Sequence, residues 1–349
     1  MAYTTINKST LHHNTKLYTG NGSTNHSITG VGFQPDWTWI KSRDDAYSHF
    51  VFDAVRGAGK QIHPNLTNAE STNLNNLYSF DSDGFSLAQS GNDDVTNKNN
   101  SNFASWNWKA GTGQGSSNTD GSINTTYTSV NTTAGFSIIK YAGTGSSGTI
   151  GHGLSATPKV LIIKEIDGTE SWRVWHRNAP NYSSKALALN SADAEFSQTN
   201  WIGTVDNSII TLGTDSSINT SGNNYICYAF AEKTGYSKFN SYAGNGSTNG
   251  TFVYTGFKPN WVMIKETNGS GAWRIYDLQR PTYNDKYGLM ADTTEVEETG
   301  TNRNKIDQLS NGFKLRMQYD DTNGTSGKYI FMAFGQTLVG SNNVPCTAR

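Results

Sequence analysis

Three polar residues stand at corresponding places in three aromatic segments: Asp53 closes HFVFD, His176 closes WRVWH and Asp277 closes WRIYD. Two carboxylates set across a cleft are what glycoside hydrolysis requires. Equivalent places in separate copies of a unit lie on separate units, so Asp53 and Asp277 can form such a pair only if the copies meet there. No copy departs from the others with a cluster of catalytic residue types, and the reading that follows is not an enzyme.

The remaining candidates are weighed in the same way. His12-His13 is the only adjacent pair among 7 histidines, and with no further ligands in sight it reads as part of an exposed arm. His49, His152 and His176 sit in or beside strands and read as hydrogen-bonded structural residues. Asp81 with Asp83, Asp93 with Asp94, and Asp320 with Asp321 lack the loop closing in Glu that marks an EF-hand, and read as turn residues. The glycine-rich turns at YTGNGS, YAGTGS and YAGNGS lack the Lys-Ser/Thr of a phosphate loop and no helix follows them. Cys227 lies in an apolar stretch and Cys346 near the C-terminus, which is neither a disulfide framework nor a metal site. No metal and no cofactor is expected.

Aromatic residues outside the strands are better leads, because tyrosine and tryptophan offer faces to sugars and to protein partners. They are Tyr182, Trp201, Tyr283 and Tyr287. The strand tryptophans Trp37, Trp106, Trp172 and Trp273 are expected in cores. In VRGAGK, Gly57 and Gly59 suggest a tight loop from which Arg56 and Lys60 project, able to anchor a phosphate or a partner's carboxylate.

The elements that must position these residues recur. A small-residue turn, a variable strand, and a proline leading into a strand ending in Ile-Lys occur as YTGNGS with GFQPDWTWIK, YAGTGS with LSATPKVLIIK, and YAGNGS with GFKPNWVMIK. After the aromatic segments already named come DGFSL, NSIITL and NGFKL, and then the closing strands FASWNWK, YICYAFA and YIFMAFG. Self-similarity of this kind is the mark of tandem units. Val160 to Ile163 is continuously apolar and Trp37 to Lys41 only partly alternating, which predicts strands buried on both faces. A proline just ahead of such a strand gives no N–H to the ladder and fixes where it starts. Asn-Gly and Asp-Gly pairs supply the reversals.

The predicted fold is all-β: three tandem degenerate β repeats. They occupy 17–110, 135–234 and 235–337. An N-terminal arm covers 1–16, a Gly/Ser/Thr-rich linker 111–134 and a C-terminal tail 338–349. The linker reads as a flexible connector or as an extended excursion along a neighbour. The second and third repeats abut.

Composition agrees with this. Charged residues are 16% of the chain, with 36 Gly against 7 Pro and 12% aromatics, enough aromatic bulk for cores and a bias to turns and strand surfaces. A net charge of −1 with pI near 6.7 offers no field for nucleic acid. No apolar run approaches the ~20 residues of a membrane span, and the first residues carry no leader pattern; no membrane insertion is expected.

TGVGFQPDWTWIKSRDDAYSHFVFDAVRGAGKQI, followed by LTNAESTNLNNLYSFDSDGFSL and ASWNWKAG, resembles a domain that recurs in tail-associated and other virion proteins of tailed bacteriophages, marine ones especially. The likeness covers residues 17 to 110, and the later copies are similar but lack VRGAGK and WNWKAG. The resemblance implies a virion component made in the host cytoplasm and built of jelly-roll or lectin-like β-sandwich repeats: a tail-fibre or receptor-binding protein, with a capsid decoration or tail-assembly protein as the alternative. Its implied partners are other virion proteins, further copies of itself and a host surface glycan. An alternative of a different class, which the resemblance does not imply, is a polysaccharide depolymerase.

Overall fold

The structure is a computed structural model and describes residues 4–88, 95–280, 288–298 and 306–338. Turn chemistry sets its punctuation. Asn21 and Asn245 each fold back onto the N–H two residues on, and the glycines that follow, Gly22 and Gly246, have φ of +63° and +62°, a conformation that glycine adopts without strain.

The chain is all-β, and one strand order recurs three times. In the first unit the opening strand His13–Thr19 pairs with the closing strand Asn102–Trp108, which pairs with Trp37–Ser42, which pairs with Phe50–Asp53. In the second the order is Phe136–Ala142, Asn224–Phe230, Val160–Glu165, Arg173–His176 and Lys185–Ala188. In the third it is Ser237–Ala243, Lys328–Gln336, Lys258–Glu266, Arg274–Asp277 and Leu289–Met290. All these pairs are antiparallel, and the register recurs too. Trp37 faces Trp108 and Asp53, Val160 faces Phe230 and His176, and Trp261 faces Phe334 and Asp277.

Each main sheet is covered by a three-stranded sheet. These are His26–Thr29 with Gly84–Leu87 and Ser79–Asp81, Gly148–Gly151 with Ile209–Leu212 and Ile202–Val205, and Phe252–Tyr254 with Gly312–Leu315 and Ile306–Leu309. The result is a sandwich per unit, with its own core: Ile40, Phe52 and Phe85 in the first, Leu161, Ile163 and Ile210 in the second, Val262, Ile264 and Phe313 in the third.

The opposite faces of the main sheets meet in one central cluster that includes Trp37, Trp39, Trp106, Trp108, Ile162, Tyr228, Phe230, Trp261, Met263 and Phe334. Every residue of Trp37–Ser42 and of Val160–Glu165 is therefore buried, which is the reason for the continuous apolar run Val160 to Ile163 and the incomplete alternation of Trp37 to Lys41.

Three local features correct the expectations from sequence or decide between them. Pro35 and Pro158 precede their strands, but Pro259 lies inside Lys258–Glu266, at a register shift between Pro259 and Trp261; a bulge lets the ladder skip the missing N–H. The Gly/Ser/Thr-rich stretch is not a free connector. It contains the strand Tyr127–Asn131, paired with Phe136–Ala142, and Ile123 bridges to Ile150. The buried Asp36 carboxylate accepts hydrogen bonds from the N–H groups of Ala110, Thr112 and Gly113 at 2.7, 3.0 and 2.7 Å, so a sequence with little apolar surface is held by its backbone. Finally, His13 is not on an exposed arm: it opens the first strand, 3% exposed, beside Trp108 and stacked on Phe334 of the third unit.

Candidate functional site

The three units meet through rings of hydrogen bonds that pass from each to the next. In one ring the first residue of each aromatic segment reaches a main-chain carbonyl of the neighbour: Trp172 Nε1 to His63 O at 2.9 Å, Trp273 Nε1 to Ala188 O at 2.8 Å, and His49 Nε2 to Met290 O at 2.9 Å. In another the donors are backbone N–H groups: Glu70 to Ile166 O at 2.8 Å, Glu195 to Thr267 O at 2.9 Å, and Glu297 to Arg43 O at 2.9 Å.

The third ring involves Asp53, His176 and Asp277. Tyr228 OH of the second unit donates to Asp53 at 2.7 Å, and Trp106 Nε1 of the first donates to Asp277 at 2.9 Å. The residue of the third unit at the place of Trp106 and Tyr228 is Met332, which has no donor. There the acceptor position is a histidine, and His176 Nε2 turns to the carbonyl of Phe331, 3.2 Å away. A change of one partner is matched by a change of the other.

Asp53 and Asp277 thus each lie at a junction between units, Asp53 against the second unit and Asp277 against the first, but neither can meet a substrate. Both side chains are fully buried, and each is neutralised three residues on, by Arg56 at 2.5 Å and by Arg280 at 2.6 Å. Each arginine also reaches a glutamate, Glu70 at 3.3 Å or Glu297 at 3.0 Å, and a main-chain carbonyl. The guanidinium of Arg280 and its neighbours hold the Asp277 carboxyl below the usual range in spite of burial. The gap lined by Val160, Val174, His176 and Met263 has no room for a water molecule. Such an arrangement locks units together.

Arg56, expected to project from a loop, is therefore buried, because its charge is consumed by Asp53 and Glu70. Lys60 is half exposed, with its ammonium 3.2 Å from Glu70. Trp201, expected as an exposed binding face, is 2% exposed in the second unit's sandwich core. Tyr182 is half-buried, edge-on to Trp175 with the Arg177 guanidinium 4.4 Å over its ring. Tyr283 and Tyr287 lie outside the described residues. Asp83 binds the N–H groups of Gly30 and Gly32, Asp321 pairs with Arg274, and no cluster of metal-ligating residues occurs among the described residues.

The open aromatic surface lies on the third unit's smaller sheet. Phe252 and Tyr254 are 43% and 61% exposed and flank the buried Val253, so alternation puts both rings on the outer face. Phe252 faces Lys314 across the sheet and Tyr254 faces Gly312; Leu309, also exposed, lies beyond Gly312. Tyr254 also forms one wall of a groove of about 360 Å³ bounded by Glu232, Thr234, Ser237, Lys238 and Thr255. The corresponding positions are Ser27 and Thr29, both exposed, in the first unit, and Thr149, half-buried, and Gly151, buried, in the second. Aligning HSIT, GTIG and FVY by their buried central residue is the signal that finds this pair; attention to loop aromatics alone misses it.

No helix among the described residues is long and apolar enough to cross a membrane. A family model described as a domain of unknown function, DUF7483, matches residues 8–337. No curated protein and no solved structure matches the chain.

Proposed function

Because the chain belongs to the DUF7483 family along nearly its whole length, its role has to be read from its own surfaces, and we propose that it is a non-enzymatic attachment protein of the tailed-phage virion surface. In this reading the outer face of the third unit holds a host surface glycan. The observation that carries it is the exposed pair Phe252 and Tyr254, present in one unit where the other two have Ser27 and Thr29 or Thr149 and Gly151.

The physical case is that of a sugar site. A pyranose ring has an apolar C–H face that stacks on an aromatic ring and a rim of hydroxyls that need partners. Tyr254 supplies the ring, and Thr234, Lys238 and Glu232 in the adjoining groove supply donors and acceptors. The resemblance of residues 17 to 110 to virion domains supports the setting, and the burial of Asp53 and Asp277 removes the carboxylate pair that hydrolysis would have used.

The test is binding of the purified protein to immobilised host capsule and lipopolysaccharide. A Phe252→Ala/Tyr254→Ala variant, altered only at exposed rings, should keep its melting temperature and bind about tenfold more weakly, the equivalent of roughly 1.4 kcal/mol. Undiminished binding by the variant would remove the aromatic face from the reading. Release of oligosaccharide during incubation would remove its non-enzymatic part.

A further inference from the structure

The threefold repetition also breaks at an ion cluster. In the first and third units an arginine bridges the aspartate and the glutamate, as Asp53, Arg56 and Glu70 or as Asp277, Arg280 and Glu297. In the second unit the corresponding residues are His176, Ala179 and Glu195. The glutamate remains and its arginine is gone. Glu195 Oε2 accepts from Asn181 Nδ2 at 3.0 Å, whereas Oε1 is shielded from bulk water and has no hydrogen-bond partner. A carboxylate oxygen in that condition costs roughly 1–3 kcal/mol or more unless something supplies a donor.

A pocket of about 210 Å³ adjoins it, between Asn181, Lys185 and Glu195 of the second unit and Thr267, Asn268 and Lys328 of the third. The third unit's contribution is altered as well. At the corresponding places the first and second units pair an asparagine with an aspartate, Asn102 with Asp44 and Asn224 with Asp167. Here those residues are Lys328 and Asn268, so one negative charge is lost and one positive charge gained. Neither the Lys185 nor the Lys328 ammonium makes an ion pair among the described residues, and both line the pocket.

We infer that this junction pocket binds a small carboxylated ligand that also carries hydroxyl groups, of the size and class of a single uronic acid ring. The two ammonium groups take its carboxylate, and one of its hydroxyls donates to Glu195 Oε1. The volume is below the roughly 300 Å³ at which drug-sized sites begin, which suits one ring and excludes a long chain lying flat. This site is separate from the aromatic face and stands without it.

Isothermal titration of the whole protein at 0.15 M salt, where loose surface attraction is largely screened, uses D-glucuronate, D-glucose and acetate as probes. Glucuronate should saturate one site per chain, glucose and acetate should bind at least tenfold more weakly, and Lys328→Asn, a change at an exposed residue, should weaken glucuronate at least tenfold. Lys185→Gln should act in the same direction. Absence of saturable glucuronate binding overturns the inference, as does equal binding of acetate or of glucose, or indifference to both substitutions.

Discussion

His13 is an ionisable side chain placed where the interface needs a neutral ring. It lies between Trp108 and Phe334, its Nε2 has no partner, and burial lowers its pKa to about 3, with the Asp277 charge opposing only weakly. His176 is lowered to about 4, again chiefly by burial. An unfolded histidine takes up its proton near pH 6.5. The stability tied to these two residues is therefore complete above pH 6.5 and is lost as the pH falls toward 4 and then 3. For His13 the loss between pH 7 and pH 5 is about 2 kcal/mol. His13→Phe keeps the stack and removes the proton site, so its urea-unfolding free energies at pH 7 and pH 5 should differ by about 2 kcal/mol less than those of the unaltered protein. An unchanged pH dependence would show that His13 is not the group being protonated. Neither its burial nor that of Arg56 was legible in the sequence, since the partners of His13 are 95 and 321 residues away and nothing local announces them.

At the scale of elements the sequence was more open. The proline-led strands, the aromatic segments and the closing strands were all visible from composition and order, because strands buried on both faces need continuous bulk. Backbone-driven features were not. Tyr127–Asn131 and the stretch before it owe their place to hydrogen bonds to main-chain groups, which leave little trace in side-chain pattern. Asp36 is the test of that explanation. Asp36→Ala removes three acceptor contacts, leaves three N–H groups without their partner, and should cost about 2–4 kcal/mol. Limited proteolysis should then cut between 111 and 126, where the unaltered protein resists; equal resistance would mean that other contacts hold the stretch. The outward pair Phe252 and Tyr254 was missed for a different reason, that an aromatic residue in a strand is usually core.

The whole molecule is a closed ring of three sandwiches, and its units are not independent. Each gives one face of its main sheet to the central cluster, so a chain ending after 231 would leave Trp108 and Phe230 facing water in place of Trp261 and Phe334. Such a truncation should fail to give a monomeric, cooperatively melting species in sedimentation and calorimetry, whereas beads on a string would leave two folded units behind. The closure was hidden in the sequence, where the abutting second and third units look like the tight pair and the first looks set apart by its connector. In space the first touches both others: Trp106 reaches Asp277, and Tyr228 reaches Asp53. One polypeptide that supplies all three sectors can also change one of them alone, which a trimer of identical chains cannot do. Phe252 with Tyr254, and Glu195 with Lys328, accordingly occur once per chain. Each chain has the frame of a trimer but only one copy of each such feature, so on the proposed attachment reading avidity for a surface comes from the number of chains displayed on it.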